Sequence, residues 1–160
     1  MGFGILPLLV VVFFAGFLAR QNDFVQSQSP DYQIVRAQTS GVAFLRYRDS
    51  VFRYLQAHPG YSGSVPAGSL DEQFSADFLS KVGNLITPTA SGGGTVITCY
   101  AAIPANALAD ALARSENDAS FGISNGSTWT SMASGVSQTP APLSVAIPNG
   151  NVVSVVQIGV

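Results

Sequence analysis

The sequence has little charge of either sign. Only 10% of its 160 residues are Asp, Glu, Lys or Arg, against roughly 25% in ordinary soluble proteins. Lys81 is the single lysine, no run of like charges occurs, and polarity comes from Ser, Thr, Asn, Gln and Gly. With a formal net charge of −2, the chain offers no field that would gather nucleic acid. Cys99 is the only cysteine and His58 the only histidine. An internal disulfide is therefore excluded, as is a structural zinc site of the usual Cys/His kind. Cys99 reads as a small buried hydrophobe on a strand, with an intermolecular disulfide as the alternative. A surface this poor in charge resembles exported bacterial proteins more than cytosolic ones.

What is present in abundance is apolar sequence at the N-terminus. Met1 to Ala19 contains no charged or strongly polar side chain. As a helix rising about 1.5 Å per residue it nearly matches a hydrocarbon layer of about 30 Å. The expected membrane anchor comprises Gly2, Phe3, Ile5, Leu6, Leu8, Leu9, Val10, Val11, Val12, Phe13, Phe14, Phe17 and Leu18. Pro7 lies early enough for a kink to be tolerated in lipid. A cleaved secretory signal would need basic residues before the run and a small-x-small site after it. Neither is there, so an uncut signal anchor fits better. Gly2-Phe3 imitates a prepilin cleavage site, but Pro7 then stands where the mature helix of a pilin carries glutamate.

Residues 1–19 thus read as a transmembrane anchor, 20–30 as a tether, and 31–160 as one domain. Arg20 alone would leave that domain cytoplasmic by the positive-inside rule. Asp23 offsets it, and the charge-poor composition favours a bacterial inner-membrane protein with a periplasmic domain.

Within the domain, a helix is expected from about Asp31 to Ala57. On a wheel of 100° per residue, Phe44, Leu45, Tyr47, Val51, Phe52, Tyr54 and Leu55 share one half. Arg46, Asp49, Ser50, Arg53 and Gln56 share the other, and Asp49 and Arg53 are spaced to pair. His58-Pro59-Gly60 ends the helix. Arg48 lies inside the apolar arc, where a guanidinium is costly unless paired. Two readings follow: a stem on the core with its head on loop carbonyls, or a docking contact for another chain.

Tyr61 to Ser69 reads as loop. Phe74, Phe78, Leu79 and Val82 recur at helical spacing and suggest a short helix somewhere in Leu70–Ile86, with Asp71 and Glu72 as its N-terminal charges. Thr95–Ala101 reads as a strand and Ala105–Arg114 as a helix opened by Pro104. Asn125-Gly126 and Asn149-Gly150 each lie between extended segments, the strongest short signal for a hairpin. They predict hairpins of 119–123 with 128–132 and of 143–147 with 152–158. The sum is an α+β fold: anchor, long amphipathic helix, and a small mostly antiparallel sheet, an arrangement also found in pilins.

Sites for chemistry fail in turn. Gly92-Gly93-Gly94 is followed by no Lys-Ser/Thr and cannot be a phosphate loop. Gly60-Tyr61-Ser62-Gly63 lacks the spacing of a nucleophile elbow. His58 reads as a helix-end surface residue. Asn125-Gly126-Ser127 matches a glycosylation sequon but is already explained as a turn. The arginines and tyrosines of the long helix divide between two faces, which argues against a nucleic-acid stripe. No catalytic, cofactor-binding or metal-ligating residue is assigned, and no small-molecule substrate is expected.

Tyr47-Arg48-Asp49-Ser50-Val51, then Tyr54, then Pro59-Gly60-Tyr61-Ser62-Gly63-Ser64-Val65 resembles the Tyr-Arg-x-Ala-Val, Asn-Pro-Gly and Gly-x-Val pattern of the PilM proteins. These belong to type IVb (thin, conjugative) pilus systems and are distinct from the actin-like ATPase of the same name. Ala146-Ile147-Pro148-Asn149-Gly150 with Val152-Val153 is similar to that family's Ile-Pro-x-Gly-x-Val ending. Ser50 and His58 stand where the pattern has Ala and Asn. The resemblance implies a non-enzymatic inner-membrane component of a pilus basal body, with pilin or other assembly proteins as partners. It makes Tyr47, Arg48, Val51 and Tyr54 the candidate structural or interaction residues. A minor pilin is the alternative, and an anchored hydrolase using Ser62 and His58 a third class.

Overall fold

A computed structural model describes residues 30–89, 92–136 and 138–159, with side chains from Ser40 onward apart from Ala105. The anchor expected over 1–19 and nearly all of the tether lie outside the described residues. Among those described, no helix is long and apolar enough to cross a membrane. Residues Ala37–Val160 form one compact unit.

Helix α1 runs Pro30–Ala57, one residue earlier than its periodicity predicts. Proline suits a first helical position, because its missing N–H has no intrahelical acceptor there. At the other end the His58 amide donates to the Tyr54 carbonyl at 3.0 Å. Gly60 then takes a positive φ of 82°, which lets the chain turn away without steric cost. The face toward the sheet carries Phe44, Tyr47 and Val51, all buried, with Phe44 set edge-on against Phe121 at 6.1 Å. Burying each such side chain stabilises the fold by about 1.5–3 kcal/mol.

After a 3-10 turn at Ala67–Ser69 and a single helical turn, α2 (Ala76–Leu79), come strands β1 (Val82–Pro88) and β2 (Gly94–Ala101). Helix α3 (Ala105–Arg114) and strands β3 (Phe121–Ser131), β4 (Ala141–Ile147) and β5 (Val152–Gly159) complete the unit. The strands form one antiparallel sheet in the order β1-β2-β5-β3-β4. The expected α+β class, long helix and small antiparallel sheet are all present.

Strand β3 doubles back on itself. Its 11 residues, if straight, would hold their ends more than about 30 Å apart. Yet the Met132 amide donates to the Phe121 carbonyl at 3.1 Å. The reversal falls at Asn125-Gly126, where Gly126 has φ 69°, so the first expected hairpin is real. The approach is close: a Cβ on Gly122 would collide with the Thr130 carbonyl. The first arm pairs with β5 through Ile123↔Val152, and the second pairs with β4 through Trp129↔Ala141.

The sheet also curls. Ile97, Cys99 and Val152 face the helix core, and alternation sends Thr98 and Val153 to the opposite face, yet both of these are buried too. The outer strands are four places apart in the order, but Thr87 of β1 donates to the Ser144 hydroxyl of β4 at 3.1 Å. A flat sheet would hold them roughly 19 Å apart at about 4.8 Å per strand. Curling therefore brings β4 back toward β1.

Four expectations are corrected. The helical spacing of Phe74 to Val82 yields only the single turn α2, and Val82–Pro88 is strand β1. Its pairing with β2 along Val82↔Ala101 to Pro88↔Thr95 outweighs local periodicity. The second hairpin does not form. Its turn exists, but β5 is paired with β2 on one side and β3 on the other, so β4 pairs with β3 instead. Arg53 does not pair with Asp49; its Nη2 donates to Asp71 Oδ1 at 3.1 Å. Asp71 and Glu72 precede α2 rather than open it, and they bond Arg53 and Arg46 of α1.

Candidate functional site

The four residues singled out on α1 are spread from full burial to partial exposure. Tyr47 is 3% and Val51 0% exposed, so both are core. The Tyr47 hydroxyl accepts from Asn84 Nδ2 at 2.7 Å, and Asn84 also holds both backbone groups of Val65. Burial pushes the Tyr47 phenol up to about 12 against the smaller opposing effect of the Asn84 bond. Tyr54 is half-buried, stacked on His58 at 4.1 Å and edge-on to Tyr61 at 5.3 Å.

Arg48 is 13% exposed at its side chain, and its head bonds carboxylates rather than the loop carbonyls expected. Nη1 donates to Asp118 Oδ2 at 2.9 Å and Nε to Asp49 Oδ1 at 3.3 Å. The guanidinium lies 4.6 Å from the Phe121 ring centroid and 5.5 Å from that of Phe52, within cation–π range. Burial alone would raise the Asp118 pKa, but the Ser120 bonds and Arg48 together hold its carboxyl below the usual range. The cluster anchors the loop before β3 to the middle of α1.

Ser50, read as polar-facing, is fully buried because Asp71 covers it: Ser50 Oγ donates to Asp71 Oδ1 at 2.6 Å. The Arg53 bond and then the Ser50 bond lower the Asp71 carboxyl to about 2. Between Ser40 and Gly159 all five basic side chains engage carboxylates of the same chain: Arg46 with Glu72, Arg48 with Asp49 and Asp118, Arg53 with Asp71, Lys81 with Asp77, and Arg114 with Asp110.

Cys99 is fully buried on β2, and burial pushes its thiol up to about 12. Such a thiol is inert as a nucleophile. His58 is exposed and its Nδ1 donates to the Tyr54 carbonyl at 2.9 Å. Among the described residues no cluster of His, Cys, Asp or Glu could hold a metal ion.

A cleft of about 340 Å³ lies where the end of α1 meets β2 and β5, lined mainly by Phe52, Leu55, Pro59, Tyr61, Ile97 and Ile158. Its walls carry no formally charged side chain. From Ala119 onward, in fact, the sequence contains no charged residue and no histidine. Sequence reading missed Asn84, Asp118 and Ile158. The charge-free C-terminal quarter was visible in the sequence.

The sequence matches the PilM family over residues 10–155. No curated protein matches it. Among solved structures it is similar to the crystal structure of PilM from Escherichia coli B7A, with a TM-score of 0.54 and 14% identity, over 80% of this chain and 95% of that one. At that identity the likeness shows the fold alone.

Proposed function

The chain belongs to the PilM family, which suggests a role in pilus biogenesis, and on that premise we propose that it is a non-enzymatic component of a type IVb pilus assembly machine. In this reading residues 1–19 hold it in the bacterial inner membrane. The domain lies in the periplasm and binds pilin or other assembly proteins. The observation that carries the reading is the family match over residues 10–155, which begins inside the apolar N-terminal run and ends within β5. The domain's own chemistry supports it. Its described arginines and lysine are spent on internal carboxylates, its cysteine is inert, and its histidine is tied to a helix carbonyl.

Deleting the chain from its host should abolish surface pili, and the full chain should restore them. A chain carrying both Ser62→Ala and His58→Ala should restore them equally. Loss of pili in that double variant at normal protein level would favour the hydrolase reading.

A second reading, a minor pilin, is favoured by the architecture: a long helix packed on an antiparallel sheet is what pilins also use. Pro7 in place of the pilin glutamate opposes it.

A further inference from the structure

Asp71 and Glu72 are adjacent in sequence, and both reach back to one face of α1. Arg46, Ser50 and Arg53 stand there at i, i+4 and i+7, a spacing that lines them up along the helix. Ser50 Oγ donates to Asp71 Oδ1 at 2.6 Å, Arg53 Nη2 donates to the same oxygen at 3.1 Å, and Arg46 pairs with Glu72. The segment carrying the two carboxylates, residues 66–75, has no buried residue. Its backbone bonds from Ser69 to Pro66 and from Leu70 to Ala67 are internal turns. It meets α1 through the two carboxylates and through Phe74, which lies edge-on to Tyr47 at 5.7 Å. Ser50 beneath it is nevertheless fully buried.

We infer that residues 66–75 are an autoinhibitory strap over a receptor for two adjacent carboxylates. Arg46, Ser50 and Arg53 form that receptor. Asp71 and Glu72 fill it in cis, and an acidic segment of another protein takes their place when the strap lifts. Charge complementarity selects this occupant. Guanidiniums offer donors only, and charge-assisted bonds to carboxylates are the strongest such bonds they make. The strap itself displays the matching chemistry. Its latch is also able to exchange: the Arg46 and Arg53 side chains are 61% and 50% exposed, and exposed ion pairs add little against water. What favours the cis pair is its tether, which gives it an effective concentration on the order of mM. A partner held close by other contacts competes on equal terms. The inference goes beyond the proposed role in pilus assembly and does not depend on it.

Thiol alkylation of Ser50→Cys in the full-length chain, in detergent micelles, reads the strap directly. Cys99 is fully buried and marks any general unfolding. Adding Asp71→Asn and Glu72→Gln should speed alkylation at position 50 at least about fivefold, the effect of losing two exposed ion pairs, while Cys99 stays protected. A synthetic peptide of residues 66–75, added at millimolar concentration to this opened chain, should slow the reaction again. The same peptide carrying Asp71→Asn and Glu72→Gln should not, and Arg46→Ala with Arg53→Ala in the opened chain should remove the protection. An unchanged rate on opening, or reaction of Cys99 together with position 50, would overturn the strap. No protection by the acidic peptide, equal protection by the neutral one, or protection that survives loss of both arginines would overturn the receptor.

Discussion

The side-chain amide of Asn84 donates to the hydroxyl of Tyr47 at 2.7 Å, across 37 residues of sequence. Asn84 is 4% exposed on β1, and its three hydrogen bonds also hold the Val65 amide and carbonyl, so one side chain ties α1, the loop and the sheet together. Asn84→Ala leaves three buried polar groups without partners, each costing about 1–3 kcal/mol. We expect a total loss of about 3 kcal/mol or more in urea unfolding. Tyr47→Phe removes one bond only and should cost about 1 kcal/mol. A loss of less than 1 kcal/mol for Asn84→Ala would mean the network adds nothing to the fold.

Arg48 should be irreplaceable by lysine. Its planar head both stacks on Phe121 and bonds Asp118, and an ammonium cannot reproduce that shape. Arg48→Ala should destabilise by about 1–3 kcal/mol, with Arg48→Lys recovering less than half. A fully stable Arg48→Ala variant that also supports normal pilus assembly would show that this residue neither folds nor docks the domain.

Acid should loosen the contact between the Asp71 loop and α1. The folded-state carboxyl sits at about 2, lowered by Arg53 and then Ser50, below its value of about 3.9 in an unfolded chain. A depressed carboxylate contributes stability above its unfolded pKa and loses it as pH falls through the folded one. The melting-temperature difference between wild type and Asp71→Asn should therefore be constant above about pH 5 and close between about pH 4 and 2. A difference independent of pH over that range would assign the effect to packing.

Gly41 lies inside α1, where alanine would ordinarily be favoured by about 1 kcal/mol. An added Cβ there would stand 2.7 Å from the Ala107 carbonyl oxygen and 2.9 Å from Asp110 Oδ2. Pushing α3 aside should outweigh the propensity gain, so Gly41→Ala should destabilise by about 1–3 kcal/mol. A more stable variant would show that α3 yields freely.

These residues also mark what the sequence discloses. Elements bounded by their own punctuation were legible: the end of α1 at His58-Pro59-Gly60, α3 behind Pro104, and the reversal at Asn125-Gly126. Elements decided by distant partners were not. Val82–Pro88 keeps helical spacing with Phe78 and Leu79, and only its ladder with β2 makes it a strand. Arg53 has Asp49 one turn away and chooses Asp71, 18 residues on, because the loop brings that carboxylate over Ser50 as well. The Asn149-Gly150 turn was legible, but not that its two strands would take other neighbours. The family pattern in Tyr47, Arg48, Val51 and Tyr54 was readable as a pattern, whereas the division of these residues between core and surface needed the sheet beneath them.

The most direct test of the proposed role separates sheared pili from inner membranes of the host and locates this chain in each by mass spectrometry that reads its N-terminus. The account predicts an intact N-terminus confined to the membrane fraction. A chain beginning at Phe3 and recovered in the filaments would contradict it and make the protein a minor pilin.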